Sequence, residues 1–152
     1  MTKRFLYRVA AISFILIVLA QFIRVDRSVP EFNLRDDFII LESVPDQFSQ
    51  VLKSACYNCH SYQTRYPWYS HVAPVSWWLQ NHINHAREHL NFSIWGTYDQ
   101  ETQKHNLEEC EEEVSEGFMP LPSYTWLHSE ARLTDEERKM LADWFSEMYK
   151  NH

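Results

Sequence analysis

Glycine is nearly missing from this chain, with two in 152 residues. That scarcity excludes Gly-rich phosphate-cradling loops and argues against a turn-dense β fold. No convincing alternation of apolar and polar residues marks a strand, and there is no internal repeat or low-complexity segment. Cysteine is scarce too, and three is an odd number, so the thiols do not form a closed disulfide framework. After residue 27 no cluster of Lys and Arg is available to track a phosphate backbone, and the formal net charge is −7. Nucleic acid is therefore not an expected partner.

What is present is apolar and aromatic: 45% of residues are hydrophobic and 15% aromatic, enough for the core of one domain of about 100 to 120 residues. Asp46 is placed to cap a helix carrying Phe48, Val51, Leu52 and Ala55 on one face. A second helix follows Pro74 with Val75, Trp78, Leu79, His82, Ile83 and Ala86 at helical spacing. A third, from about Thr102 to Glu116, bears the stripe Leu107, Cys110, Val114 and ends at Gly117. The fourth begins with the capping box Thr134 to Glu137 and presents Met140, Leu141, Trp144, Phe145 and Met148 as its core face. Four helices without a strand make the expected class all-α.

The first 27 residues read as a targeting or anchoring segment, because Lys3, Arg4 and Arg8 precede the apolar run Val9 to Ala20, with Phe22 and Ile23 beyond Gln21. Phe5 to Ile23 taken as one helix of 19 residues would span about 28 Å, close to the hydrocarbon thickness, whereas Val9 to Ala20 alone spans about 18 Å and resembles a signal h-region. The expectation is a retained transmembrane anchor, with cleavage after Ala20 as its alternative. Residues 28–45 follow as a linker or strap, and 46–152 as the functional domain.

Cys56-Tyr57-Asn58-Cys59-His60 is a C-x-x-C-H run. Two thiols three positions apart on one helical turn can each add to a haem vinyl group, and the adjacent imidazole then falls beneath the iron. The competing reading is zinc, for which His82, His85 and His89 offer further ligands. With both motif thiols committed to haem, Cys110 is left as a small hydrophobe in its stripe. Met119 is the candidate sixth ligand, since it sits in Gly117-Phe118-Met119-Pro120-Leu121-Pro122, where two prolines stiffen a short loop. His71 and His128 are the substitutes, while His85, His89, His105 and His152 read as solvated. The six Glu from Glu108 to Glu116 read first as a solvated helix face and second as a surface for a basic redox partner.

Further pieces join the motif: Thr64-Arg65, Pro67-Trp68-Tyr69-Ser70, Ala73 to Trp77, Leu90 to Ser93 with Trp95, Met119 to Tyr124, and Leu133 to Arg138. In this combination the chain resembles the small haem-binding domain family of exported or membrane-anchored bacterial c-type cytochromes, departing from it at Ala86, where a Gly is expected. The resemblance implies one covalent haem c per chain on Cys56 and Cys59, ligation by His60, and a place for Met119 consistent with ligation. The expected protein is a cytochrome c-like helical domain around that haem, preceded by an N-terminal transmembrane or signal helix. It would be held at the inner membrane with the domain in the periplasm, or be soluble there after cleavage, and would act as an electron carrier rather than an enzyme. A haem-based sensor, a peroxidase-like haem enzyme and a zinc module are the alternatives.

Overall fold

The computed structural model describes residues 3–152; Met1 and Thr2, the first positions of the expected N-terminal segment, lie outside the described residues. Among the described residues there are helices and no strand. They run α1 (Lys3–Ala20), α2 (Phe38–Leu41), α3 (Asp46–Ala55), α4 (Tyr57–His60), α5 (Val75–His89), α6 (Gln100–Ser115), α7 (Pro122–Thr125) and α8 (Asp135–Asn151). Short 3-10 turns lie at Leu34–Asp36, Trp68–His71, Phe92–Thr97 and Ser129–Ala131.

Local signals account for the ends. Asp99 accepts from the Thr102 amide and starts α6 two residues earlier than its apolar stripe suggests. Gly117, at φ +82°, follows that helix in the left-handed region that glycine adopts without strain. Thr134 and Glu137 form the reciprocal capping box of α8. Asp46 is the first residue of α3 rather than its cap, a place taken by Pro45.

The core is an aromatic-rich cluster that draws on α2, α3, α4, α6, α8 and the Phe92–Thr97 turn. Phe38 is fully buried and meets Trp95 edge-on at 4.8 Å and Phe92 at 5.1 Å. Phe48 of α3 stacks on Trp144 of α8 at 4.5 Å. Helix α6 lies along α8, with Leu107, Val114, Leu141 and Phe145 buried between the two and the rest of the core. The 28–45 segment, expected as a linker or strap, thus supplies Phe38 and Val44 to the core itself. On α8 the stripe is narrower than expected: Leu141, Ala142 and Phe145 are buried, whereas Met140 is 41% exposed. His152, expected in solvent, is half-buried beside Trp95 and lies 3.5 Å from Glu42.

The N-terminal expectation needs correcting. Helix α1 stops at Ala20, and Gln21, Phe22 and Ile23 close into turns, so Phe5 to Ile23 is not one helical span. The helix also contains Lys3, Arg4 and Arg8, leaving only Val9 to Ala20 as an uncharged stretch. No helix among the described residues is long and apolar enough to cross a membrane.

Phe38→Ala should cost about 3–5 kcal/mol, because it empties a fully enclosed ring site that three other aromatics cannot collapse to fill. Urea unfolding of the intact chain followed by circular dichroism measures this.

Candidate functional site

The C-x-x-C-H run straddles the junction of α3 and α4. Cys56 breaks the helix with φ −119° and ψ −46°, and its carbonyl then accepts from the amides of Cys59 and His60 at 3.1 and 2.9 Å. Both thiols and the imidazole therefore belong to one tight turn.

The two intervening residues are structural, which the motif alone does not reveal. Tyr57 is buried, stacks on Phe92 at 5.2 Å, and donates its hydroxyl to Asp37 Oδ1 at 3.0 Å. Asp37 also accepts from Gln63 Nε2 at 2.7 Å and from the Ile39 amide at 3.1 Å. One buried carboxylate thereby joins the segment before the motif, the motif and the segment after it. Asn58 Nδ2 donates to the Tyr124 hydroxyl at 2.7 Å, and Asn58 Oδ1 accepts from the Arg65 amide. Arg87 of α5 closes the turn from the other side, donating to the Ser61 carbonyl at 2.8 Å and to Thr64 Oγ1 at 2.9 Å.

His60 is held through one ring nitrogen. Its Nδ1 lies 3.2 Å from the Leu90 carbonyl, which can only accept, so Nδ1 carries the proton and Nε2 keeps its lone pair. Burial lowers the imidazole pKa, favouring the neutral form that binds a metal. Orientation through the second ring nitrogen is how ligating histidines are generally fixed.

The thiols are not poised for dithiol redox chemistry. Burial pushes the Cys56 thiol up to about 12 and raises that of Cys59, although the Arg87 guanidinium pulls Cys59 back. A thiol–disulfide centre needs the reverse, a thiolate stabilised near neutral pH. Burial also raises the third thiol, Cys110, and the proximity of Cys56 adds to it, placing the α6 face beside the motif. Asn106, one turn before Cys110 on α6, is buried with an amide nitrogen that has no partner among the described residues.

Met119 follows Gly117 in the loop after α6 and packs, half-buried, against the same core cluster as Cys56 and Cys110. Its amide donates to the Glu113 carbonyl at 3.0 Å, and its carbonyl accepts from Arg138 Nη1 at 2.7 Å. The substitutes are otherwise engaged. His71 Nδ1 lies 3.2 Å from Arg27. His128 lies between the Tyr69 hydroxyl, 2.7 Å from Nε2, and Glu130, 3.1 Å from Nδ1, with Tyr124 stacked on its ring at 4.3 Å.

Zinc finds no ligand set. His85 and His89 meet each other at 3.3 Å while His82 lies tilted against Trp78 at 4.2 Å, and among the described residues no three His, Cys, Asp or Glu side chains converge to hold a metal. A groove of about 460 Å³ beside Phe48, Met140 and Trp144 has none of the motif residues in its lining, so it is separate from this chemistry.

The model of the family described as haem-binding domain matches residues 15–147, and the chain belongs to that family. No curated protein and no solved structure matches it. The protein is thus a haem-binding, all-helical domain. The residues present suit the group, with a neutral, oriented imidazole and two protonated thiols on a single turn.

Burial raises the Asp37 carboxyl above its ordinary range, outweighing the donors from Tyr57, Ile39 and Gln63. The folded state therefore holds this proton more tightly than the unfolded chain does. The resulting stabilisation is fully present below the ordinary carboxylate pKa and is lost as pH rises through the raised folded value. Asp37→Asn removes that dependence. The stability of wild type relative to Asp37→Asn should fall as pH rises across this window, as read from denaturant unfolding at a series of pH values; an advantage that grew with pH would contradict it.

Proposed function

We propose that this protein is a single-haem c-type cytochrome that passes electrons outside the cytoplasm. The observation that carries this reading is the one-turn placement of Cys56, Cys59 and His60, with His60 Nδ1 tied to the Leu90 carbonyl and Nε2 left to bind. In this reading Cys56 and Cys59 form the thioethers, His60 is the proximal ligand, and Met119 is the sixth. Bound haem supplies an iron that changes oxidation state by one electron.

The chain's own residues do the rest. Arg87, Asn58 and Tyr57 hold the attachment turn rigid, and the Tyr57–Phe92 stack keeps water from its inner side. A thioether as sixth ligand favours the reduced iron and raises the potential relative to a second imidazole. The Glu108 to Glu116 face is an anionic surface suited to a basic redox protein. Helix α1, with a basic start and an apolar body, serves export and association with the inner membrane, and cleavage after Ala20 would release a soluble periplasmic form. This makes the protein an electron carrier rather than an enzyme.

Haem should remain with the denatured wild-type chain through acidic organic extraction after maturation by a c-type attachment system, and Cys56→Ser with Cys59→Ser should lose it. The wild-type protein should be low-spin in both oxidation states and slow to bind carbon monoxide, whereas Met119→Ala should turn high-spin or recruit a histidine. Absorption spectra of the ferric and ferrous forms read both. Freely extractable haem sinks the covalent assignment; a five-coordinate ferrous wild type unchanged by Met119→Ala sinks the sixth ligand and moves the reading to a sensor or peroxidase.

A further inference from the structure

Helix α1 does not swing on a free linker. Immediately after its last residue, Gln21 accepts from the Ala73 amide at 3.0 Å and donates to the Ala73 carbonyl at 3.1 Å. Two residues on, the Ile23 carbonyl accepts from Trp77 Nε1 at 2.9 Å. Arg27 then donates to the Ser70 carbonyl and lies over the Tyr66 ring at 4.4 Å. Residues 21–27 are thereby riveted to one short stretch, Ser70 to Trp77, and the C-terminal end of α1 is fixed against it.

That stretch opens onto an unpartnered apolar face. Val72 is 44% exposed, and on α5 Val75 and Trp78 are 41% and 50% exposed, one turn apart on the same side of the helix. Trp68, on the 3-10 turn that Arg27 grips, is 80% exposed. Helix α1 itself buries no residue against the domain, and its Phe14, Ile15, Leu16 and Ile17 are all exposed. Two apolar surfaces that nothing among the described residues covers are therefore held together by a rigid clamp.

Charge indicates what covers them. Although the chain has 21 acidic residues, none stands between Asp46 and Glu88, an interval that contains this whole face together with Arg65 and Arg87. Arg24 and Arg27 flank the clamp, and Lys3, Arg4 and Arg8 lie on α1. The apolar side chains from Trp68 to Trp78 include an exposed indole and lie in a carboxylate-free interval bordered by arginines, Asp26 standing between Arg24 and Arg27 in the clamp, and they match the interface of an anionic bilayer. A helix too short and too charged to cross can still bury its apolar body at that depth.

We propose that Val72, Val75 and Trp78, together with α1, form one continuous surface that seats the domain directly on anionic lipid. The α5 N-terminus then faces the bilayer and the acidic face of α6 remains available to solution partners. The proposal rests on the membrane reading of α1 and is independent of the haem chemistry.

The test uses the full-length, haem-loaded protein with vesicles of phosphatidylcholine, with and without phosphatidylglycerol. Binding should strengthen with phosphatidylglycerol, and vesicles should protect Trp78 from hydroxyl-radical oxidation while leaving the exposed Met140 on α8 unprotected. Val75→Asn with Trp78→Gln, at exposed positions that leave the core intact, should lower vesicle partitioning about tenfold with the haem spectrum unchanged. Trp126→Gln, more exposed at 82% but outside the clamp, should leave partitioning unaltered. Vesicle binding with Trp78 unprotected and the double variant unaffected would overturn the seated face while leaving α1 as a lipid segment. Absence of vesicle binding, indifference to phosphatidylglycerol, or lipid-independent self-association abolished by the double variant would each overturn the proposal. Loss of covalent haem alone would count only against the cytochrome reading.

Discussion

A buried carboxylate organises the C-x-x-C-H turn. Asp37 caps α2 through the Ile39 amide, receives the hydroxyl of Tyr57 from within the C-x-x-C-H run, and receives the amide of Gln63 from the segment beyond it. A charge placed in an apolar surrounding is costly unless it is fully hydrogen-bonded. Asp37 therefore acts as a geometric specification: the three segments can satisfy it only in one mutual arrangement, and that arrangement fixes Tyr57 on Phe92 and the cysteines on their turn.

Around this point the electrostatics divide the molecule. Within the site, burial favours uncharged forms, keeping His60 neutral and the Cys56, Cys59 and Cys110 thiols protonated. The negative charge that makes the chain acidic is placed elsewhere, on α6 and on the first turn of α8, and in α8 it also complements the helix dipole. The interior thus presents neutral donors to a cofactor while the exterior presents charge to macromolecules.

Much of this was legible in the sequence because it is local. The C-x-x-C-H spacing is a statement about one turn, and α5, α6 and α8 follow from apolar periodicity and from caps at Gly117 and Thr134. What stayed hidden depends on contacts distant in the chain. Phe38 belongs to a four-residue helix too short to show a period, yet it centres the core. Asp37 carries no local mark that would set it apart from its neighbour Asp36, and its role appears only when Tyr57 and Gln63 are brought to it. Asn58 looks like a variable position within the motif until Tyr124, far along the chain, supplies its partner. Met140 misled for the opposite reason: its place in the α8 stripe is regular, but it lies at the rim of an open groove beside Phe48 and Trp144 and stays exposed.

Arg138 extends the argument to mechanics. One of its nitrogens donates both to the Val114 carbonyl, 2.6 Å away near the end of α6, and to the carbonyl of Met119, while its backbone belongs to α8. The loop bearing Met119 is consequently welded to a helical hairpin rather than hung between two ends. Any displacement of the Met119 backbone must disturb that hairpin, so a lesion in α8 would be felt as a loosened Met119 loop.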